Sequence, residues 1–136
     1  VKHALAVTEK KIDVFAIVCG TIRMASGISF LVAPDAANRL WGDHDEHDAT
    51  ASLLLRSMGY RDAFIGGGLL RAGLKGDGSS AGWFLASGGA DAADLLGGIA
   101  NHDRMSESQK QRGLGGAAVG IGVGLLGAAL AKRRHA

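Results

Sequence analysis

An all-α fold, an integral membrane bundle of four helices in one domain, is what this sequence predicts, and three observations carry the prediction. Four apolar stretches of membrane-crossing length follow one another at about residues 12–33, 49–74, 81–100 and 113–131. The 136 residues include 22 glycines and 1 proline, and glycine is more frequent in membrane helices than in soluble ones because it lets backbones approach closely. The third observation is a conflict: residues 53–74 have the length and flanks of a span yet carry Arg56, Arg61 and Asp62. At about 1.5 Å per residue that stretch makes a helix of about 33 Å, enough for a hydrocarbon core of about 30 Å. Charges at such depth are costly and normally face the inside of a bundle, where they find partners.

The bulk numbers exclude more than they assign. A net charge of +2 gives no argument for nucleic acid, and no basic stripe is interleaved with aromatics. Cys19 is the sole cysteine, so no internal disulfide forms and the residue is expected to pack as a small apolar side chain.

Taken in order, Lys2, Lys10 and Lys11 precede the first apolar stretch, which Arg23 interrupts near its middle. A signal peptide is the competing reading, but Arg23 breaks the region that a signal needs intact. Pro34 stops the first helix, and residues 35–48 read as a polar connection, with Trp41 suited to the membrane interface. The second span ends in a turn, Lys75-Gly-Asp-Gly-Ser-Ser80, with the glycines and serines of a tight reversal. The third stretch is the least apolar, carrying Asp91 and Asp94. After a polar connection at 101–112 comes the cleanest stretch, 113–131, uncharged and stopped by Lys132, Arg133 and Arg134. With four spans both ends share a side. That side carries Lys2, Lys10, Lys11, Arg71, Lys75, Lys132, Arg133 and Arg134, against Arg39, Arg104, Lys110 and Arg112 on the other. The positive-inside rule then puts both termini in the cytoplasm.

Arg23, Arg56, Arg61, Asp62, Asp91 and Asp94 fall within the expected membrane depth. Three cations and three anions balance, which matters because each unpaired Arg or Asp at a helix centre costs roughly 2.5–3.5 kcal/mol. Asp91 and Asp94 are three apart, hence on one helix face, and Asp62 shares a face with Gly59 and Gly66, where another helix can come close. One reading of the pairs is structural, fixing helix rotation and register. The other is a ligand site or proton path, in which arginine holds an anionic or carbonyl group and any proton relay runs through the aspartates.

In the last stretch Gly116, Gly120, Gly124 and Ala128 recur every four residues, a face for an internal seam or a dimer contact, of which the internal seam is favoured. His44 and His47 stand among acids in the first connection. The spacing lacks a second ligand cluster, so a solvated loop is expected and no metal. No glycine cluster forms a nucleotide loop, and neither a serine elbow nor an activated Cys19 is present.

The segment Arg56-Ser-Met-Gly59-Tyr-Arg61-Asp62-Ala-Phe-Ile-Gly66 resembles the RxxGxRDxxxG signature of a family of small bacterial four-helix membrane proteins of unknown function, related to the DoxX-like superfamily. Arg23 with Gly27 and Pro34, Trp41-Gly42, and Asp91 with Asp94 extend the resemblance over roughly the first 100 residues. It implies a four-helix bundle in the bacterial plasma membrane and little about activity. Some relatives in the wider group resemble subunits of quinone-linked redox complexes, but this sequence has no haem or cluster ligands.

The functional expectation is a membrane-embedded protein that binds a lipid, quinone or similar amphipathic molecule at the Arg/Asp centre, or serves as accessory subunit of a membrane complex or homo-oligomer. The alternatives are a membrane enzyme or proton-coupled carrier working through Asp62, Asp91 or Asp94, and a soluble helical bundle. The sequence names no cofactor and does not decide whether a reaction is catalysed.

Overall fold

The computed structural model describes residues 11–40 and 49–135. Trp41, His44 and His47, and Lys2 and Lys10, lie outside the described residues. All regular structure within them is helical.

Asp13 opens α1 (Val14–Val32) by accepting the N–H of Ala16 at 3.1 Å, which satisfies one of the donors a helix start leaves unpaired. Pro34 closes it: Ala33 is pushed out of the helical region, at φ −138° and ψ 71°, as the residue before a proline must be. The polar connection then departs from expectation. Pro34 becomes the first residue of a short helix, α2 (Pro34–Leu40), with Asp35 in its first turn and Arg39 in its last; both charges suit the helix dipole, and a proline at the first position costs no hydrogen bond.

α3 (Ala49–Lys75) and α4 (Ser80–Ala100) are joined by the expected tight turn. Gly76 and Gly78 take φ of +65° and +88°, a conformation open to residues without Cβ. Asp77 bends the turn by accepting the Ser79 hydroxyl at 2.6 Å and its N–H at 3.0 Å, and these donors hold its carboxyl below the usual range. Ser106 and Gln109 form a reciprocal capping box. A single π turn (Lys110–Leu114) leads into α5 (Gly115–Arg134), whose last turn holds Lys132, Arg133 and Arg134.

The four long helices alternate in direction. One end gathers residues 11–13, the α3–α4 turn and the end of α5: Lys11 N–H donates to Gly76 O (3.2 Å) and Arg134 to Ile12 O (2.9 Å). At the other end Arg112 donates to Leu40 O at 3.0 Å. Within the bundle the closest partners are α1 with α3 and α4 with α5; α3 and α4 meet less extensively.

Glycine explains both close pairs. On α1, Gly20 and Gly27 are seven apart, and on α3 so are Gly59, Gly66 and Gly73. Gly20 lies against Gly66 and Leu70, Gly27 against Gly59 and Ala63, and Gly73 against Asp13 and Ala16. A Cβ on Gly20 would stand 2.7 Å from Gly66 O, and one on Gly59 2.6 Å from Gly27 O; neither fits between these backbones. A seven-residue repeat keeps one face turned to a partner in a left-handed pair. In the second pair Gly124 lies against Gly88, Gly127 under the Phe84 ring and Gly120 against Asp91. Gly116 instead lines the mouths of two cavities.

The interior is made of small residues around Leu69 and Phe84, with Ala16 and Ala128 beside them and Phe15, Cys19 and Trp83 packed outside. Large aliphatic side chains point the other way. Val14, Ile22, Leu53, Leu96, Val119 and Leu125 are each more than half exposed.

Candidate functional site

Three residues on one face of α4 build the site: Ser87, Asp91 and Asp94 stand at i, i+4 and i+7 and meet arginines from α1 and α3. Arg23 projects from α1 beside the Gly20–Gly27 seam. Its Nη1 donates to Ser87 Oγ (2.8 Å) and Asp91 Oδ2 (3.0 Å), and its Nη2 to Asp62 Oδ1 (3.0 Å) and Asp91 Oδ1 (3.1 Å). Arg61, from α3, grips both oxygens of Asp94 at 3.0 and 2.9 Å and meets Asp62 Oδ1 through Nε (3.1 Å) and Nη2 (3.0 Å). Both arginines thus make two-pronged bonds to a carboxylate, the strongest geometry open to them.

Burial is graded across the centre. The side chains of Arg23, Asp62 and Asp91 are about 14–15% exposed, those of Arg61 and Asp94 33% and 39%. Arg23 Nε is buried without a partner among the described residues.

Arg56 does not join the centre, contrary to the expected balance of three pairs. It is exposed and makes no ion pair among the described residues. The helical screw explains this: at about 100° per residue, Arg56 lies about 140° from Arg61 and about 120° from Asp62 around α3. Two guanidiniums therefore serve three carboxylates. The shortfall falls on Asp62, whose recorded donors all reach Oδ1 while Oδ2 receives none among the described residues.

A cavity of about 460 Å³ opens beside this cluster, between the α1/α3 pair and the α4/α5 pair. Asp62, Asp91 and Asp94, with Ser26 and Asn38, form its polar lining, while Phe30, Leu55, Met58, Met105, Leu114 and Ala117 form the apolar one. Neither guanidinium lines it: the three carboxylates offer acceptors, and the Ser26 hydroxyl and Asn38 amide add groups that can donate as well as accept.

Sequence reasoning missed two polar residues. Ser87 stands one turn before Asp91, a spacing that was readable. Asp13 is buried at the far end, accepting from Ser80 Oγ at 3.0 Å and meeting Arg134 Nη1 at 3.5 Å; an acid before an apolar run signals a cap, but nothing local signals those two partners.

These features define a class: an all-helical protein with a buried arginine–aspartate network and two helices, α1 and the last one with its π turn (Lys110–Arg134), long and apolar enough to cross a membrane, at mean hydropathies of 1.8 and 1.9. The chain belongs to the family described as domain of unknown function (DUF4267), whose model matches residues 20–131. That match takes in the whole Arg/Asp centre. No curated protein and no solved structure matches the chain.

Proposed function

We infer that this is a small integral membrane protein of four spans, with both ends on the cytoplasmic side of a bacterial plasma membrane, that holds an amphipathic molecule beside its Arg/Asp centre. The membrane part of this reading is supported by the distribution of apolar side chains. Alanine and glycine fill the interior while aliphatics project outward from all four long helices, the reverse of a water-soluble helix with a polar outer face. α3 and α4 carry charges that lower their hydropathy, and those of Arg61, Asp62, Asp91 and Asp94 are turned to partners inside the bundle. The DoxX-like relation suggested by the RxxGxRDxxxG segment belongs to the same reading.

The single observation that carries the binding role is the cavity lined by three aspartates and two further polar residues, Ser26 and Asn38, with apolar or small residues elsewhere. Such a site, apolar with a few convergent polar groups, is the usual form of a small-molecule pocket. Because three carboxylates face the cavity, the ligand's polar end includes a hydrogen-bond donor, such as the hydroxyl of a lipid or quinol or an amine, with Ser26 and Asn38 placed to meet a neighbouring oxygen and its apolar part against Phe30, Leu55 and Met58. The same description fits an accessory subunit that offers a bound lipid or quinol to a larger complex.

Native mass spectrometry in mild detergent, with identification of retained molecules, tests this. A molecule held by the wild type and lost from a folded Ala117→Phe variant, which fills the cavity, bears the reading out; an empty wild type across several extraction detergents removes it.

A second reading rests on the charge count. With two arginines for three aspartates, one carboxylate lacks a counter-charge, and arginine does not give up its proton. In an enzyme or proton-coupled carrier the working acid or base is then Asp62, Asp91 or Asp94, and replacing that one by Asn abolishes turnover or transport while the bundle stays folded.

A further inference from the structure

A second cavity, of about 510 Å³, runs along α3 and α4 on the other side of the bundle, and nothing in the Arg/Asp centre lines it. Its lining divides by chemistry. Toward the end that gathers the α3–α4 turn it has Arg71, Lys75 and Ser79; deeper in, it has Phe64, Gly67, Gly68 and Trp83. The geometry points to a binding site for an anionic phospholipid, its phosphate at Arg71 and Lys75 and one acyl chain along Gly67 and Gly68 toward Phe64. This rests on the membrane reading above and is independent of the ligand at the centre.

Arg71 and Lys75 are four residues apart, so their side chains leave α3 on one face. Neither takes part in a salt bridge among the described residues, in contrast to Arg23 and Arg61. The nearby acid, Asp77, is engaged with the Ser79 hydroxyl and N–H. Two cations that close no salt bridge among the described residues, with Asp77 acting on Lys75 only at longer range, beside an apolar trough call for an anion that carries an apolar body.

Glycine shapes the trough: Gly67 leaves it open, and Gly68 lets the Trp83 ring lie against the α3 backbone. A Cβ on Gly68 would stand 2.5 Å from the Trp83 ring, and Gly67 meets only Met24 Sδ, at 3.6 Å. The Phe64 and Trp83 rings, 5.7 Å between centroids, close its deep end. From Lys75 to Phe64 is 11 residues, about 16.5 Å along the helix, close to the roughly 15 Å of one leaflet's hydrocarbon. A headgroup at Lys75 thus sits at the interface while its chain ends near the bilayer centre. By the positive-inside count this is the cytoplasmic leaflet, whose anionic lipids attract basic residues near the surface.

The test is native mass spectrometry of the full chain in mild detergent, titrated with phosphatidylglycerol, with phosphatidylcholine of the same acyl chains, and with inorganic phosphate. Each basic residue near an anionic surface is worth about fivefold, so the wild type is expected to prefer phosphatidylglycerol about 30-fold. Arg71→Gln/Lys75→Gln should erase that preference, and Lys132→Gln/Arg133→Gln, which removes the same charge at the same end of the bundle, should keep it. Gly67→Leu, which fills the trough without a backbone clash, should weaken both lipids alike.

Equal losses in the two double variants would mean unspecific attraction and overturn the site. Displacement of the lipid by inorganic phosphate at similar concentration would make it a free-anion site and overturn the lipid assignment, as would a wild type without headgroup preference. A chain that stays in the aqueous fraction without detergent removes the membrane reading itself, an outcome separate from loss of headgroup preference in a protein that needs detergent.

Discussion

Replacing Arg23 should cost far more stability than replacing Asp94, although each makes a two-pronged ion pair. Arg23 holds two carboxylates, Asp62 and Asp91, at an exposure of 14–15% for all three side chains. Removing one partner of a buried pair costs about 3–5 kcal/mol because the other charge is stranded; Arg23→Met strands Asp91 and takes from Asp62 one of its two arginines, so the upper end, about 5 kcal/mol, is expected. Asp94 is 39% exposed and opens into the cavity, where solvent screening brings such a pair down to about 0–1 kcal/mol. The gap of about 4 kcal/mol is nearly a thousandfold in the folding equilibrium. The double variant Arg23→Met/Asp91→Asn restores the charge count of the wild type and leaves Asp62 with Arg61. It should recover about 1–2 kcal/mol relative to the sum of the single variants, within the range found for polar pairs in membrane helices. Unfolding by heat and by titration with SDS, in one detergent at one pH, measures the wild type, Arg23→Met, Asp91→Asn, Asp94→Asn and the double variant. An Arg23→Met variant as stable as Asp94→Asn, or strict additivity in the double variant, would refute the argument that burial sets the strength of this network.

Three further outcomes are expected. Gly66→Val should drive α1 from α3, because a Cβ there meets Met24 N and lies 2.7 Å from Gly20 O; over-packing of this kind costs about 1–3 kcal/mol or more, read as a lowered Tm with less helical protein recovered. Asp13→Ala removes a cap worth about 1 kcal/mol and leaves the buried Ser80 hydroxyl without its partner for about 1 kcal/mol or more, so about 2–3 kcal/mol in total by the same unfolding assay. Arg56→Gln, at an exposed position outside the network, should shift stability by less than about 0.5 kcal/mol; a loss equal to that of Arg23→Met would put Arg56 back in the centre.

The helices were legible because their ends are written locally. Asp13 before an apolar run, Pro34, the Gly76–Gly78 turn and the basic tail at Lys132 each mark a boundary that hydropathy and turn chemistry can find. α2 is less legible because a proline that stops one helix is equally suited to start the next. At the site, the shared face of Asp91 and Asp94 followed from their spacing, as did that of Asp62 with Gly59 and Gly66. Arg56 was grouped with them by depth alone, and depth says nothing of rotation about the helix. The glycine seam shows the same limit. Four-residue spacing in α5 drew attention, while the seven-residue spacing of Gly20 with Gly27 and of Gly59 with Gly66 is what brings α1 and α3 together. Which helix pairs with which, and that Asp13 reaches Ser80 and Arg134 across 67 and more positions, depends on topology that no local window contains.

The two close pairs, α1/α3 and α4/α5, are each held by backbone contact along glycine, and the ties between them are directional: Arg23 to Asp91, Arg61 to Asp94, Asp13 to Ser80 and Arg134. The cavity lies between the pairs and is walled by the same aspartates, so under the proposed function stability and ligand binding draw on the same charges. This permits a test in which the two move in opposite directions. Met58 lines the cavity four residues before Asp62 on α3, so Met58→Lys places a third cation on the face that carries the under-served carboxylate. Its flexible stem lets the ammonium reach Asp62 Oδ2, and the charge count becomes three against three. The added pair should raise stability by about 1 kcal/mol, while the retained donor ligand is lost because its acceptor is taken. A Met58→Lys protein that is more stable yet still holds the ligand would show that Asp62 Oδ2 is not the atom the ligand uses. A protein destabilised as much as Arg23→Met would show that the centre already has its full complement of positive charge.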